Sequence, residues 1–311
     1  MIFVPIILVM DNDIELNIVH TPVMLKEVLS YIPENAKIAI DATLGEGGHT
    51  KAMLDLNLEV HSFERDSAIL DIAKKRLKNY PNFHYYNNTY DKMMECLDEK
   101  IIGNVDFMLY DLGVSLFHFK KAERGFSFKD NTMLDMRLGI NEKSAYDIIN
   151  GYSEEELERV FRDYGEISNA RKMARIIVKE RDKRKIETSK ELESIIFHNT
   201  DKSQRYGKIH PATLVFQAIR IEVNDELNIL EKSILNIPNI LKNNGVAVII
   251  SYHSLEDRIV KRFFKENEKT KNKDGIFKLL NNKVKLPTNE EVKSNPASRS
   301  AKMRAVQLIK I

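Results

Sequence analysis

Apolar positions along this chain follow two periods. Short apolar runs at Ile38 to Ala42, Leu58 to Phe63, Phe83 to Asn87, Val105 to Asp111 and Gly245 to Ser251 are bounded by polar or glycine-containing turns and read as buried strands. Between the early runs, apolar residues recur at helical spacing. Val23, Leu25, Val28 and Leu29 follow Pro22, a favoured first-turn residue. Leu70, Ala73 and Leu77 follow a predicted cap at Ser67 and stop before Pro81, and Asp91 to Lys100 reads as a further helix. Strands alternating with helices predict a parallel sheet covered on both faces, the doubly wound, Rossmann-like α/β class.

After Ser115 the alternation stops for about a hundred residues, far beyond an ordinary connection of roughly 2 to 6. Helices fill the gap, with capping boxes at Ser153-x-x-Glu156 and Thr188-x-x-Glu191. The sheet pattern resumes with a helix opened by Pro211, a second over Asn224 to Leu241, and the strand ending at Ser251. Ser254-x-x-Asp257 reads as another capping box, and Phe277 to Leu280 with Val306 to Ile311 as a closing hairpin. The predicted division is an extension at 1–19, a sheet domain of 20–122 and 210–311, and an inserted, mainly helical second domain at 123–209. Met1 to Met10 is apolar but too short to span a bilayer and lacks the flanks of a secretory signal; an extra edge strand is one reading of it.

The chemistry starts in Asp41-Ala-Thr-Leu-Gly-Glu-Gly-Gly-His-Thr50, a strand running through a glycine cluster into a helix start. Glycines let a ligand approach bare backbone, and the first-turn N–H groups face whatever lies there. Such a cluster also occurs in ordinary turns. Glu64, at the tip of the next strand, is placed to accept both hydroxyls of an adenosine ribose, and the two features together favour an adenosine-bearing cofactor. In a doubly wound sheet Asp41, Glu64 and Asp111, all at strand ends, converge on one crevice with the glycine turn.

Composition narrows the partners. With 311 residues, 43% hydrophobic and 30% charged, the chain is an ordinary globular one, and a net charge of +2 announces no nucleic acid by itself. Charge is local instead. Arg171, Lys172, Arg175, Lys179, Arg181, Lys183, Arg184 and Lys185 are opposed only by Glu180 and Asp182, which fits either a solvated helix face or phosphate contact. The single cysteine, Cys96, excludes an internal disulfide and a thiolate zinc site and suits a reducing cytoplasm, and the histidine spacing assigns no metal. No membrane partner is expected.

Taken together, Asp41-Ala-Thr-Leu-Gly-Glu-Gly-Gly-His, Asp111-Leu-Gly-Val-Ser, Glu123-Arg-Gly-Phe-Ser-Phe, Leu134-Asp-Met-Arg, His210-Pro-Ala-Thr, Ser251-Tyr-His-Ser-Leu-Glu-Asp-Arg and Asn295-Pro-Ala-Ser-Arg-Ser resemble the ribosomal RNA small subunit methyltransferase H family, in order and across residues 20 to 311. The resemblance implies a class I methyltransferase domain that uses S-adenosyl-L-methionine to methylate the N4 amine of a cytidine in 16S ribosomal RNA, with that RNA or the small ribosomal subunit as partner. It implies cofactor contacts at Gly47, Gly48 and His49, a ribose contact at Glu64, an aromatic contact at Tyr90, an acidic contact at Asp111 and a further contact at His118. Two positions depart from the family: Leu116-Phe117-His118 stands where Ser-x-Gln is usual, and Glu64 replaces an aspartate.

The cytosine amine is a poor nucleophile because its lone pair is delocalised, so an acceptor for its proton is needed. Asp111 is the first choice and His253 the second. Phe117, Phe119, Phe126 and Phe128 are the aromatic side chains near enough in sequence to stack an unstacked base. A nicotinamide-dependent dehydrogenase would share the glycine turn, and a non-catalytic RNA-binding or ribosome assembly factor would share the basic helices. The sequence leaves the cytidine and the oligomeric state open.

Overall fold

The computed structural model describes residues 21–115, 117–118, 124–129, 131–139, 141–206, 210–270 and 274–309. The 1–19 extension, the boundaries near 122 and 209, Phe119, and the end of the predicted last strand at Lys310 and Ile311 lie outside the described residues.

Among the described residues, seven strands form one sheet. β1 (Ile38–Asp41), β2 (Glu59–Phe63), β3 (Phe83–Tyr86), β4 (Val105–Asp111) and β5 (Leu241–Ser251) are parallel. β7 (Lys302–Leu308) then runs antiparallel to β5, and β6 (Phe277–Leu279) antiparallel to β7. Their order across the sheet is β3-β2-β1-β4-β5-β7-β6. It turns back at β1 and β4, because the chain proceeds outward from β1 to β3 and then crosses to the other side. That reversal opens a crevice at their carboxyl ends.

Strand alternation divides the core. Ala39, Val60, Phe107, Leu109, Val248 and Ile250 face α1 (Leu25–Ser30), α2 (Gly48–Leu54) and α3 (Ser67–Leu77); Ile40, Phe63, Met108, Tyr110 and Ile249 face the helices that follow residue 225. Each fully buried aliphatic side chain contributes roughly 1.5–3 kcal/mol, so two covered faces leave the sheet little freedom to move beneath the site. A third cluster unites the helices Ala145–Gly151, Glu154–Asp163, Ala170–Lys183 and Ser189–Asn199 with the buried side of Pro211–Asn224. Both capping boxes read there, at Ser153 with Glu156 and at Thr188 with Glu191, are formed.

Several element boundaries differ from the sequence reading. Asp66, not Ser67, caps α3, accepting from Ala68 N at 3.0 Å. The fold chooses Asp66 because its other oxygen is anchored by Arg124 and His118. His253, not Ser254, caps the Ser254–Glu266 helix, because Glu256 reaches back to the N–H groups of Tyr252 and His253. The helix predicted over Asp91 to Lys100 shrinks to a 3-10 turn at Tyr90–Lys92 and one α turn, α4 (Met93–Cys96). Asp98 accepts from Lys100 N at 2.8 Å, a local turn that competes with helix continuation. The helix predicted over Asn224 to Leu241 is broken into Glu226–Ile234 and Ile237–Ile240 around Pro238, and Leu241 already belongs to β5.

Residues distant in sequence are tied at the wall of the crevice. Glu291 accepts from the backbone N–H of Met24, the left-handed residue before α1, and the Asn295 amide donates to Thr21 O. No described helix is long and apolar enough to cross a membrane.

Candidate functional site

A cavity of about 490 Å³ opens at the carboxyl ends of β1 and β4, between the sheet and the helical cluster. Gly48, His49, Glu64, Tyr90, Asp111, His118 and His253 all line it. Gly47 does not: it is the N-cap of α2 at φ +79°, and a Cβ there would come within 3.0 Å of the Leu77 side chain. Its glycine serves the left-handed turn that aims the helix. Gly48 is glycine for closeness, since a Cβ would meet the Pro22 ring at 2.6 Å.

Asp41 also stands behind the lining. It is 1% exposed, accepting from Thr50 Oγ1 at 2.7 Å and from Thr43 N at 3.1 Å. The expected convergence of three strand-end acids is thus one of two, Glu64 and Asp111, with Asp41 fastening the turn from beneath. Burial pushes its carboxyl up, and the hydrogen bonds and His49 oppose this.

Glu64 directly follows β2 and lines the cavity. Oε2 accepts from Gly45 N at 3.1 Å and Oε1 from Asp66 N at 2.8 Å, which fixes the group in place. Burial pushes it up to about 7, with the negative Asp66 alongside adding to the effect and the two backbone N–H groups opposing it.

Asp111 is held from two directions and faces His49 on a third. Its backbone N–H donates to Thr43 Oγ1 at 2.8 Å, the Tyr252 hydroxyl donates to Oδ1 at 2.7 Å, and His49 Nδ1 lies 3.5 Å from Oδ2. His49 Nε2 is 3.0 Å from Val23 O, an atom that can only accept. Neutral His49 therefore carries its proton on Nε2 and turns the Nδ1 lone pair toward Asp111. Burial lowers its pKa and keeps it neutral. Burial likewise raises the Tyr252 phenol well above its ordinary value, and the adjacent Asp111 charge adds to this, so the hydroxyl stays a donor.

On the opposite wall His118 is 5% exposed, with Nε2 3.1 Å from Asp66 Oδ2. Its Nδ1 is buried with no hydrogen-bond partner among the described residues. Asp66 also takes Arg124, and these bonds outweigh burial and hold its carboxyl well below the usual range. Behind His253, Arg220 grips both oxygens of Glu226 at 2.8 and 2.9 Å. Glu226, His253 and Glu256 bring ligand-type atoms within 4.8 Å of one another, but a cation there would compete with Arg220 for Glu226. The His253 imidazole is engaged in its helix start, accepting from Glu256 N through Nδ1, with Nε2 3.2 Å from Glu256 Oε1.

Of the aromatics considered for base stacking, Phe126 and Phe128 line the cavity and pack on the helical cluster. Phe117 does not line it and meets the His118 ring edge-on. Much of the basic run pairs within the protein: Arg175 with Glu154, Lys172 with Asp201, Arg184 with Glu191, while Arg181 donates to the Ile149 and Tyr152 carbonyls. Tyr252, Arg220 and Asp66 were not among the predicted site residues. Tyr252 sits inside the Ser251-to-Arg258 motif, so the signal was adjacent; Asp66 carried only a cap-like position.

A family model described as the MraW methylase family matches residues 17–309. The chain belongs to the MraW methylase family. A ribosomal RNA small subunit methyltransferase H of Brachyspira hyodysenteriae is 88% identical over 96% of this chain and 100% of its own length. Proteins of the same description from Sulfurihydrogenibium sp. and Dictyoglomus turgidum are 42% and 43% identical over 92% and 93% of this chain and 97% of theirs. The resemblance read from the motifs is borne out, and the matched MraW methylase segment contains every described residue of the cavity.

Proposed function

We propose that this chain transfers a methyl group from S-adenosyl-L-methionine to the N4 amine of a cytidine in 16S ribosomal RNA. The observation that carries the reading is the meeting of a bare-backbone helix start, the Glu64 carboxylate and Asp111 in one cavity at the sheet's switch point, in a chain of a methylase family. The cavity suits a nucleoside: Glu64 offers acceptor oxygens for a ribose, Gly48 leaves no side chain in the way, and His118 Nδ1, without a partner among the described residues, offers a buried acceptor. Glu64, Gly48, His49, Tyr90 and His118 would hold the cofactor, which when bound supplies an electrophilic methyl group on a sulfonium.

The protein's part is orientation and proton removal. Fixing the reacting groups in line can supply about 7–11 kcal/mol of a barrier. Asp111 Oδ2 accepts the amine proton as the nitrogen lone pair is drawn out of the ring, while Tyr252 holds Oδ1 and so fixes the carboxylate's orientation. His253, engaged at its helix start, acts through Glu256 and the Tyr252 backbone. Phe126 and Phe128 form the face on which an unstacked cytosine can lie, and the helical insertion at 123–209 presents the RNA.

The test is methyl transfer from labelled S-adenosylmethionine to small subunits from cells lacking this protein, followed by nucleoside mass spectrometry. N4-methylcytidine in 16S RNA with the wild type and none with Asp111→Ala supports the proposal. Tight subunit binding with no label incorporated would instead make the chain an assembly factor.

A further inference from the structure

A second constellation sits on the far edge of the sheet, and none of its residues lines the cavity. Glu59 and His61 are two apart on β2, so the strand's period puts them on one face. The parallel register sets His84 of β3 directly opposite His61, and Tyr86 opposite Phe63. Glu59 Oε1 lies 3.3 Å from His61 Nε2 and 3.2 Å from His84 Nε2, and the three residues offer ligand-type atoms within 4.8 Å of one another. We propose that Glu59, His61 and His84 form a binding site for a zinc-class divalent cation, one carboxylate and two imidazoles clamping the edge strand β3 to β2.

The spacing is that of a coordination shell. Two ligands at about 2.0–2.1 Å from a tetrahedral zinc stand about 3.3–3.4 Å apart, which matches both carboxylate-to-imidazole separations. The buried member is already oriented: His61 Nδ1 is 2.9 Å from the Tyr86 hydroxyl. A hydroxyl can donate to Nδ1 when Nε2–H faces Glu59, or accept from Nδ1–H when the Nε2 lone pair faces a metal, so Tyr86 supports both states. The imidazoles are stacked with centroids 4.6 Å apart and planes 17° off parallel. Both nitrogens can point in-plane at one ion only if a ring turns, and His84, with 44% of its side chain exposed, has more room to turn than His61. Two imidazoles with one carboxylate select zinc-like ions over magnesium, which prefers oxygen alone.

The experiment uses tag-free full-length protein stripped by chelation and titrated calorimetrically with Zn²⁺, with Mg²⁺ as control and Co²⁺ as a spectroscopic reporter. The wild type should bind one equivalent of Zn²⁺ that His84→Ala lacks, show visible Co²⁺ bands of tetrahedral intensity that His84→Ala and Glu59→Gln lose, and ignore Mg²⁺. Tyr86→Phe should keep the equivalent but weaken it by about 10–100-fold, as removing an outer-shell partner does. Glu59 and His84 are both partly exposed, so these variants should keep the wild-type circular dichroism. No zinc binding by the wild type, or the same stoichiometry and affinity in His84→Ala and Glu59→Gln, would overturn the proposal.

Discussion

Replacing Glu64 with glutamine removes a charge while keeping the side chain's length. In the ligand-free protein burial pushes this carboxyl up to about 7, while Gly45 N and Asp66 N hold the group in place. An ionised carboxylate accepts from both ribose hydroxyls, whereas the acid turns one oxygen into a donor. Wild-type affinity for S-adenosylmethionine should therefore weaken as the pH falls, by about tenfold between pH 8 and pH 6 for one proton with that midpoint. Glu64→Gln at pH 8 should lose a charge-assisted hydrogen bond worth about 1.5–3 kcal/mol, roughly 10–150-fold in Kd, and its pH profile should be flatter than the wild type's. Folding moves the other way. A carboxyl whose folded pKa is raised stabilises the fold fully only below its unfolded value, and that contribution is lost as pH rises through about 7. Without ligand at pH 8, Glu64→Gln should thus be more stable than the wild type, by about 1–3 kcal/mol after allowance for solvent screening. Calorimetric titration at several pH values and urea unfolding at pH 8 measure the two effects. A wild-type Kd independent of pH from 6 to 8, or a variant that binds as tightly as the wild type, would refute the role given to Glu64.

Tyr252→Phe removes the hydroxyl that fixes Asp111 Oδ1 and should lower kcat by about 5–30-fold, with KM for S-adenosylmethionine changed far less, in single-turnover and steady-state methyl transfer. Asp66→Asn should cost about 2–4 kcal/mol at pH 7, because His118 and Arg124 lose a shared carboxylate. Since the folded pKa of Asp66 is depressed, its contribution is present above the unfolded value near 4 and fades as pH falls below it; urea midpoints should show the gap to the wild type narrowing there. Gly48→Ala drives a Cβ into the Pro22 ring, which cannot swing aside, and should cost about 1–3 kcal/mol in thermal or urea unfolding while shifting α2 away from the cavity and weakening cofactor binding.

What could be read from the sequence follows how local each determinant is. β4 was legible to the residue because Val105 to Tyr110 is buried on both faces and needs no partner to declare it. The Ser153 and Thr188 boxes were legible because cap and acid lie three residues apart. The caps at Asp66 and His253 were displaced by one residue, since adjacent candidates compete locally and the winner is set by Arg124, His118 and the reach of Glu256. Glycine turn, Glu64 and Asp111 could be placed from topology alone. That Asp41 faces inward to Thr50, and that Tyr252 crosses to Asp111 from 141 residues away, depends on side-chain directions at neighbouring strand tips, which no periodicity encodes. The basic run showed its charge and hid its partners, because Glu154, Asp201 and Glu191 come from other elements.

The grip of Glu291 on Met24 and of Asn295 on Thr21 bears on the order of events during synthesis. Pro22 and Val23 form one lip of the cavity, Ala297 and Ser300 another, and the chain between them must be translated before the two can meet. Contacts of that sequence separation form late. A nascent chain that has already built β1 to β4 still lacks the lip carrying Ala297 and Ser300, so the cavity wall is completed only after residues near 300 have left the exit tunnel.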